Sequence, residues 1–485
     1  MIYLAKTVMR SSIYNSISIF INKFGGLIFT IILARLFVPE LFGTYHLVLS
    51  IAFLLLAFTD LGTNGTLIKY VAQALGQNDE VLARSYLRYL FKLRLVFNLS
   101  CSLSLILLAN TLAVHVFHTS SLHVPLIICG MFLFITSLLD FISALFMSLQ
   151  RFEFIAVKHI FYEISRLLLV PALILLGYGV SGALWGIVIA SIVTLFISVL
   201  LLLIKYPSLL KGQVVNIERR GVLRFLSYMS LASISGVFFA YVDSVMLGIF
   251  LPAEYVGFYR AAYNVVFAFI GMVSITFVLF PIFAQLEGLE LENAFKRVFH
   301  YSSILVFPCS FGLIFMAEPV VKIVYGVDYL PSVLPMYILS VLIILSPLDF
   351  FGVLFNAKGK PEYPAKLIII SSIMNIILNY IFIIKIGMLG AAIATVISRS
   401  FNTIFLGILS RRVLYIQPNP DSIYKPLFCS GIMALFLHMA PIPSTVLLGA
   451  IEILVGALIY LTTLILLKGF GREDIIYLTE TIRSR

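Results

Sequence analysis

The sequence predicts an all-α integral membrane protein of about fourteen transmembrane helices. Its composition is the first reason, because 61% of the residues are hydrophobic and only 11% are charged. Soluble domains are nearer half apolar and a quarter charged, so a water-exposed surface on a chain this long would lack charge. The second reason is that apolar runs of about 20 residues, enough for a helix to cross the hydrocarbon core of a bilayer, recur along the chain.

Fourteen apolar runs justify the helix count. They lie at 12–36, 41–61, 89–112, 122–149, 153–177, 181–204, 222–250, 255–284, 298–325, 333–356, 364–385, 389–412, 423–440 and 444–467. Lys6 and Arg10 precede the first run, as in a signal peptide, but no clear small-x-small cleavage site follows it. We therefore interpret this run as a retained helix.

The basic residues predict the orientation in the membrane. With the N-terminus in the cytoplasm, most of the 33 lysine and arginine residues fall on the inner side. Only Arg35, Lys322 and Lys385 fall in outer loops. By the positive-inside rule, both termini are expected in the cytoplasm and the protein in the cell (inner) membrane. The net charge of +11 follows from this topology and does not indicate a nucleic-acid partner.

An internal repeat predicts how the helices are organised. Gly43 and Tyr45 recur as Gly257 and Tyr259, 214 residues later, and Gly179 recurs as Gly387 with a Gly-Ala pair three residues on. We expect an N-terminal lobe at 1–211 (helices 1–6), a C-terminal lobe at 212–415 (helices 7–12), and an extra helix pair with a tail at 416–485. Parallel repeats of this kind are related by a pseudo-two-fold axis along the membrane normal.

Several short motifs resemble a known family. They are the run Leu33–Tyr45, the triplet Asp60–Gly62, Asp243 with Gly257–Tyr259, the pair Asn375 and Asn379, and the run Gly387–Thr395. Together they resemble the polysaccharide repeat-unit flippases, the Wzx-type (O-antigen or lipid-linked oligosaccharide) transporters of the multidrug/oligosaccharidyl-lipid/polysaccharide (MOP) superfamily. The resemblance implies alternating access that carries a polyprenyl-diphosphate-linked glycan to the outer leaflet, with no catalysed reaction. Fourteen helices also resemble the lipid II flippases.

Four cations lie inside the predicted spans, where a charge costs about 2.5–3.5 kcal/mol on insertion scales. They are Lys23, Arg166, Arg260 and Arg399. One interpretation is that they bind the carrier diphosphate, since guanidinium groups donate paired hydrogen bonds to phosphate. The alternative is that each is neutralised by an acid; Glu163, three residues before Arg166, lies on the same helix face.

A second set of residues offers oxygen ligands to a cation. It comprises Asp243, Asn375, Ala391, Asn379 and Thr395. Sodium, a hard cation, prefers such ligands, and the positions resemble a cation site between helices 7, 11 and 12 of lipid II flippases. In that family a second carboxylate can stand where this chain has Asn379. The alternative is that these groups bridge helices by hydrogen bonds. No cofactor is expected other than sodium as a coupling ion.

Three other functional classes are less favoured. A MATE-type cation-coupled drug exporter expects an acid deep in helix 1, where this chain has Lys23. An integral-membrane glycosyltransferase or polymerase expects a large outer loop, and the predicted outer loops are short. A membrane scaffold gives no reason for charges inside spans. The expected partners are the lipid-linked glycan, the bilayer and a glycan polymerase or other assembly protein, with the chain itself a monomer.

Overall fold

The computed structural model describes residues 21, 25–273, 276–440 and 445–471. Every regular element in these ranges is helical, which confirms the predicted all-α class. The α-helices are α1 (Gly25–Leu36), α2 (Pro39–Asp60), α3 (Thr63–Gly76), α4 (Glu80–Thr111), α5 (His123–Ser148), α6 (Phe152–Leu173), α7 (Gly179–Lys205), α8 (Pro207–Leu210), α9 (Arg219–Phe250), α10 (Ala253–Val273), α11 (Thr276–Gln285), α12 (Gly288–Phe315), α13 (Ala317–Val324), α14 (Val333–Leu345), α15 (Phe350–Ala357), α16 (Glu362–Ile386), α17 (Met388–Val413), α18 (Asp421–Met439) and α19 (Val446–Leu466). Short π-helical turns follow α4 (Leu112–Val116) and α6 (Ile174–Tyr178), and 3₁₀ turns cover Ser120–Leu122, Val327–Ser332 and Ser346–Asp349.

Ten helices or continuous helical runs in the described ranges are long and apolar enough to cross a membrane. One of them, Phe152–Lys205, contains two of the predicted spans. Two shorter apolar helical segments, Gly25–Leu36 and Ile234–Phe250, fall on predicted spans 1 and 7. The chain is therefore a multi-pass membrane protein, and the exact number of fourteen spans stays a prediction.

Local sequence determines where several helices begin and end. Pro39 lies in the first turn of α2, where its fixed φ fits the helix and its missing N–H costs nothing. Asp79 caps α4 by accepting a hydrogen bond from the Leu82 amide at 2.8 Å. Gly179 and Gly387 separate consecutive helices with nearly the same backbone angles, φ 53° and ψ −137° against φ 63° and ψ −141°. The two halves of the sequence repeat thus make the same glycine-dependent turn.

The chain forms two compact units, residues 1–260 and 261–485. In the first, a core built around Leu67, Leu90 and Phe146 joins α3, α4 and α5. In the second, a core of stacked phenylalanines surrounds Phe295 and Phe351, and a separate cluster packs α18 and α19 on α12. The predicted three-part division at 211 and 415 stays a prediction.

The connection between α7 and α9 is bonded to the start of α4. Arg84 donates to the carbonyl oxygens of Ser208 at 2.9 Å and Gln213 at 2.8 Å, and Arg88 donates to that of Leu210 at 3.0 Å. In return the Ser85 hydroxyl accepts a hydrogen bond from the amide of Val215 at 2.8 Å. These bonds tie the connection to α4 at several points.

Candidate functional site

Arg260, near the start of α10, is a buried cation held by three helices. Its side chain is 5% exposed. Its Nε donates to the Ser244 hydroxyl of α9 at 2.5 Å, and its Nη2 donates to the Ser50 hydroxyl of α2 at 3.0 Å. The guanidinium carbon also lies 5.1 Å from the centre of the Tyr241 ring, within the range of a cation–π contact. These neutral groups fix the orientation of a guanidinium that the surrounding helices remove from water.

Asp243, a predicted sodium ligand on α9, directly precedes Ser244, which accepts the hydrogen bond from Arg260. Asp243 is 1% exposed, and its Oδ2 accepts a hydrogen bond from the Tyr259 hydroxyl at 2.6 Å. Tyr259 is itself fully buried. The bond joins α9 to α10 and orients the carboxylate, so Asp243 has at least one structural role in the first unit.

Arg166 on α6 forms the ion pair that its spacing from Glu163 predicts. Its Nη2 lies 2.5 Å from Glu163 Oε2, and its guanidinium stacks 4.1 Å from the centre of the Phe29 ring of α1. Two atoms of the pair, Arg166 Nε and Glu163 Oε1, are buried without a hydrogen-bond partner among the described residues. The charge of Arg166 is therefore offset, and its role in binding substrate stays a prediction.

Arg399 on α17 lies in the second unit. Its guanidinium carbon is 5.2 Å from the centre of the Phe267 ring. It is half-buried. The fourth predicted cation, Lys23, lies outside the described residues.

Four of the predicted sodium ligands lie on the adjacent helices α16 and α17. Asn375 and Asn379 are fully buried on one face of α16, and the Asn379 side-chain amide donates to Asn375 Oδ1 at 3.1 Å. Ala391 and Thr395 are buried one turn apart on α17. The nitrogen Nδ2 of Asn375 is buried without a hydrogen-bond partner in the described part of the chain.

The structure also contains a buried ion pair that sequence analysis missed. Arg94 on α4 is 0% exposed, and its Nη1 lies 2.8 Å from Asp60 Oδ1 at the end of α2. The same nitrogen donates to the Thr63 hydroxyl at 3.2 Å, and Nη2 donates to the Ser137 carbonyl at 2.9 Å. Asp60 lies 34 residues before Arg94, so no local spacing signals the pair.

A family model described as "polysaccharide biosynthesis protein" matches residues 8–287. The "probable low-salt glycan biosynthesis flippase Agl15" of Haloferax volcanii is 27% identical over 261 residues, 51% of this chain and 54% of that protein, so the chain spans about half its length. The "probable flippase AglR" of the same organism is 25% identical over 67% of this chain and 70% of its own. These relatives support the prediction of a transporter rather than an enzyme.

Solved structures match most of the chain. The lipid II flippase MurJ in an inward closed conformation gives a TM-score of 0.76 at 18% identity, covering 93% of this chain and 98% of that one. An inward-facing multidrug resistance MATE family transporter of the MOP superfamily gives 0.65 at 16% identity, covering 84% and 98%. At these identities the likeness shows the fold, and it confirms the superfamily fold that the motifs predict.

Proposed function

This chain belongs to the polysaccharide biosynthesis protein family, and from that membership we propose that it is a flippase. It carries a polyprenyl-diphosphate-linked oligosaccharide from the cytoplasmic to the outer leaflet by alternating access. The flippase relatives support this assignment. The structural observation that carries it is the buried guanidinium of Arg260, which three helices orient through neutral oxygens.

The energetics of such a substrate explain what the protein must supply. A polyprenyl tail stays in the hydrocarbon, at about 0.8 kcal/mol per buried CH₂. The sugar and the diphosphate are the obstacle, because burying them without partners is far more costly. Arg260 and Arg399 would offset the lost hydration of the diphosphate through charge-assisted hydrogen bonds. A membrane potential of about 100 mV, negative inside, would favour export of a dianion by about 4.6 kcal/mol, twice the value for one charge.

The structure favours some of the predicted substrate residues over others. The Glu163 carboxylate already offsets the charge of Arg166, so Arg166 is the weakest candidate for a diphosphate contact. We assign that contact to Arg260 and Arg399. Lys23 remains a predicted contact from the sequence alone.

Sodium is proposed as a coupling ion held by Asn375, Asn379, Ala391 and Thr395, with Asp243 supplying the negative charge. The full burial of Asn375 and Asn379, whose amide groups can each supply an oxygen ligand, supports this proposal. The ligand set is oxygen-rich with a single carboxylate, which suits a monovalent hard cation. Sodium moving inward would add a driving force for export.

We also propose the membrane, the orientation and the partners of this flippase. The basic residues favour the cytoplasmic (inner) membrane with both termini in the cytoplasm. There a monomer would pass its glycan to a polymerase or another assembly protein on the outer side. Lipid II flippases and MATE exporters share the fold, so the substrate must be identified by transport.

The test is flipping of a fluorescent polyprenyl-diphosphate oligosaccharide in proteoliposomes, followed by quenching of the outer-leaflet probe. Arg260→Ala and Arg399→Ala should each lower the rate by about 10²-fold, whereas Arg260→Lys should retain part of it because the charge remains. Arg411→Ala, at an exposed arginine in the last turn of α17, is the matched control and should flip at the parent rate. Undiminished flipping in both alanine variants would contradict the diphosphate assignment. Transport of a cationic drug or lipid II in place of the oligosaccharide would favour the alternative branches.

A further inference from the structure

The two glycines of the sequence repeat meet in the structure at a crossing of α2 and α10. A β-carbon at Gly43 would lie 1.8 Å from the carbonyl oxygen of Ala253, and one at Gly257 would lie 2.3 Å from that of Pro39. Ala253 follows Pro39 by the same 214 residues that separate the two glycines. The contact is therefore reciprocal, as around a local two-fold axis. Only hydrogen fits at either position, because the obstructing atoms belong to backbone.

Bulky buried residues flank each glycine along the chain. Phe42, Val256 and Tyr259 are fully buried, and Tyr45 is 2% exposed. Each glycine is thus followed two residues later by a buried tyrosine, in both copies of the repeat. The three atoms nearest to a β-carbon at either glycine are all backbone atoms.

The crossing lies directly beside the candidate substrate residue. Arg260 follows Gly257 by less than one helical turn, and its Nη2 donates to the hydroxyl of Ser50. That hydroxyl donates to the carbonyl oxygen of His46 at 2.7 Å, three residues after Gly43. A separation of the two helices at the glycines would therefore break the bond between Arg260 and Ser50.

We propose that this reciprocal Gly43–Gly257 contact is the closed outer gate of the transport path. The proposal rests on the proposed flippase function and on the predicted orientation, in which α2 and α10 both begin at the outer face. Helices that touch through small residues approach closely without interlocking side chains, so they can part without pulling large side chains from their pockets. The start of α10 also belongs to the first compact unit together with α2, as a closed gate requires.

The first test leaves both glycines intact and bridges the gate. Leu41 on α2 is 39% exposed and Pro252, just before α10, is exposed. Leu41→Cys and Pro252→Cys are combined in a background whose four free cysteines are replaced, and the pair is joined with a short bis-methanethiosulfonate reagent. Flipping should fall by about tenfold or more and return after reduction. The two single-cysteine proteins, treated alike, should be unaffected.

Undiminished flipping in the bridged protein would overturn the gate and leave the flippase assignment standing. Absence of flipping in the cysteine-free parent would instead contradict the proposed function.

The second test widens the crossing. Gly43→Ala and Gly257→Ala should each raise the open-to-closed ratio by about tenfold, measured as the distance distribution between spin labels at positions 41 and 252. The double variant should add little, because both methyl groups force apart the same contact. Gly236→Ala on α9, where nothing lies within 4 Å of the added carbon, is the control. An unchanged distance distribution in both purified glycine variants would refute the proposal, and the bridging result decides alone if neither variant folds.

Discussion

Replacing Asp60 with asparagine should destabilise the protein more than replacing its partner Arg94 with methionine. The Arg94 side chain is 0% exposed, whereas that of Asp60 is 14% exposed. Without Arg94, Asp60 still accepts hydrogen bonds from the Thr63 hydroxyl at 3.0 Å and the Asn64 amide at 2.9 Å. In Asp60→Asn, by contrast, a fully buried guanidinium loses the carboxylate 2.8 Å away and keeps only neutral acceptors there. We expect about 3–5 kcal/mol for the asparagine variant and about 1–3 kcal/mol for the methionine variant.

The assay is thermal unfolding in detergent, with a double-mutant cycle. The Asp60→Asn, Arg94→Met double variant should lose less stability than the two single losses summed, because it buries no unmatched charge. Lys296→Gln serves as the control, since its ion pair with Glu292, one turn earlier on α12, is exposed, at 37% for the lysine, and should change stability by about 0.5 kcal/mol or less. Additive losses, or a greater loss in Arg94→Met, would refute the reasoning.

Two further predictions concern the predicted site residues. Glu163→Gln should lower the free energy of unfolding by about 3 kcal/mol, because Arg166 keeps an acceptor but loses its counter-charge. The flipping rate per folded molecule should stay at the parent value. A marked rise in affinity for the lipid-linked substrate would contradict this expectation and show that Arg166 faces the substrate. Asn375→Ala should abolish the stimulation of flipping by an inward sodium gradient. The control Asn356→Ala, at an exposed position of α15, should keep that stimulation. If the parent protein flips its substrate equally fast in sodium and in choline, sodium coupling is excluded.

Features that depend on spacing along one helix could be predicted from the sequence. The three-residue spacing of Glu163 and Arg166 predicts their ion pair, and the four-residue spacing of Asn375 and Asn379 predicts a shared face, where they hydrogen-bond. Both follow from the helical repeat alone. Hydropathy likewise predicts the apolar helices, because solvation by lipid requires long apolar runs.

Features that depend on packing between distant segments could not be predicted. Arg94 lies near the start of the predicted run 89–112, and only the packing of α2 against α4 brings Asp60 to it. The repeat shows that Gly43 and Gly257 are equivalent, but equivalence does not imply that they touch. Their contact depends on the crossing of α2 and α10, which the sequence pattern does not encode in any readable way.

The bonded connection between α7 and α9 has a practical consequence. Inter-helical loops are the usual places to insert an epitope, a protease site or a fluorescent reporter, since they carry little structure. Here the stretch 208–215 is anchored by Arg84, Arg88 and Ser85, and a β-carbon at Gly212 would lie 2.4 Å from the Arg84 guanidinium. These bonds hold the connection that leads into α9 against the start of α4. Cutting or lengthening the stretch 208–215 would therefore break the link between these two elements.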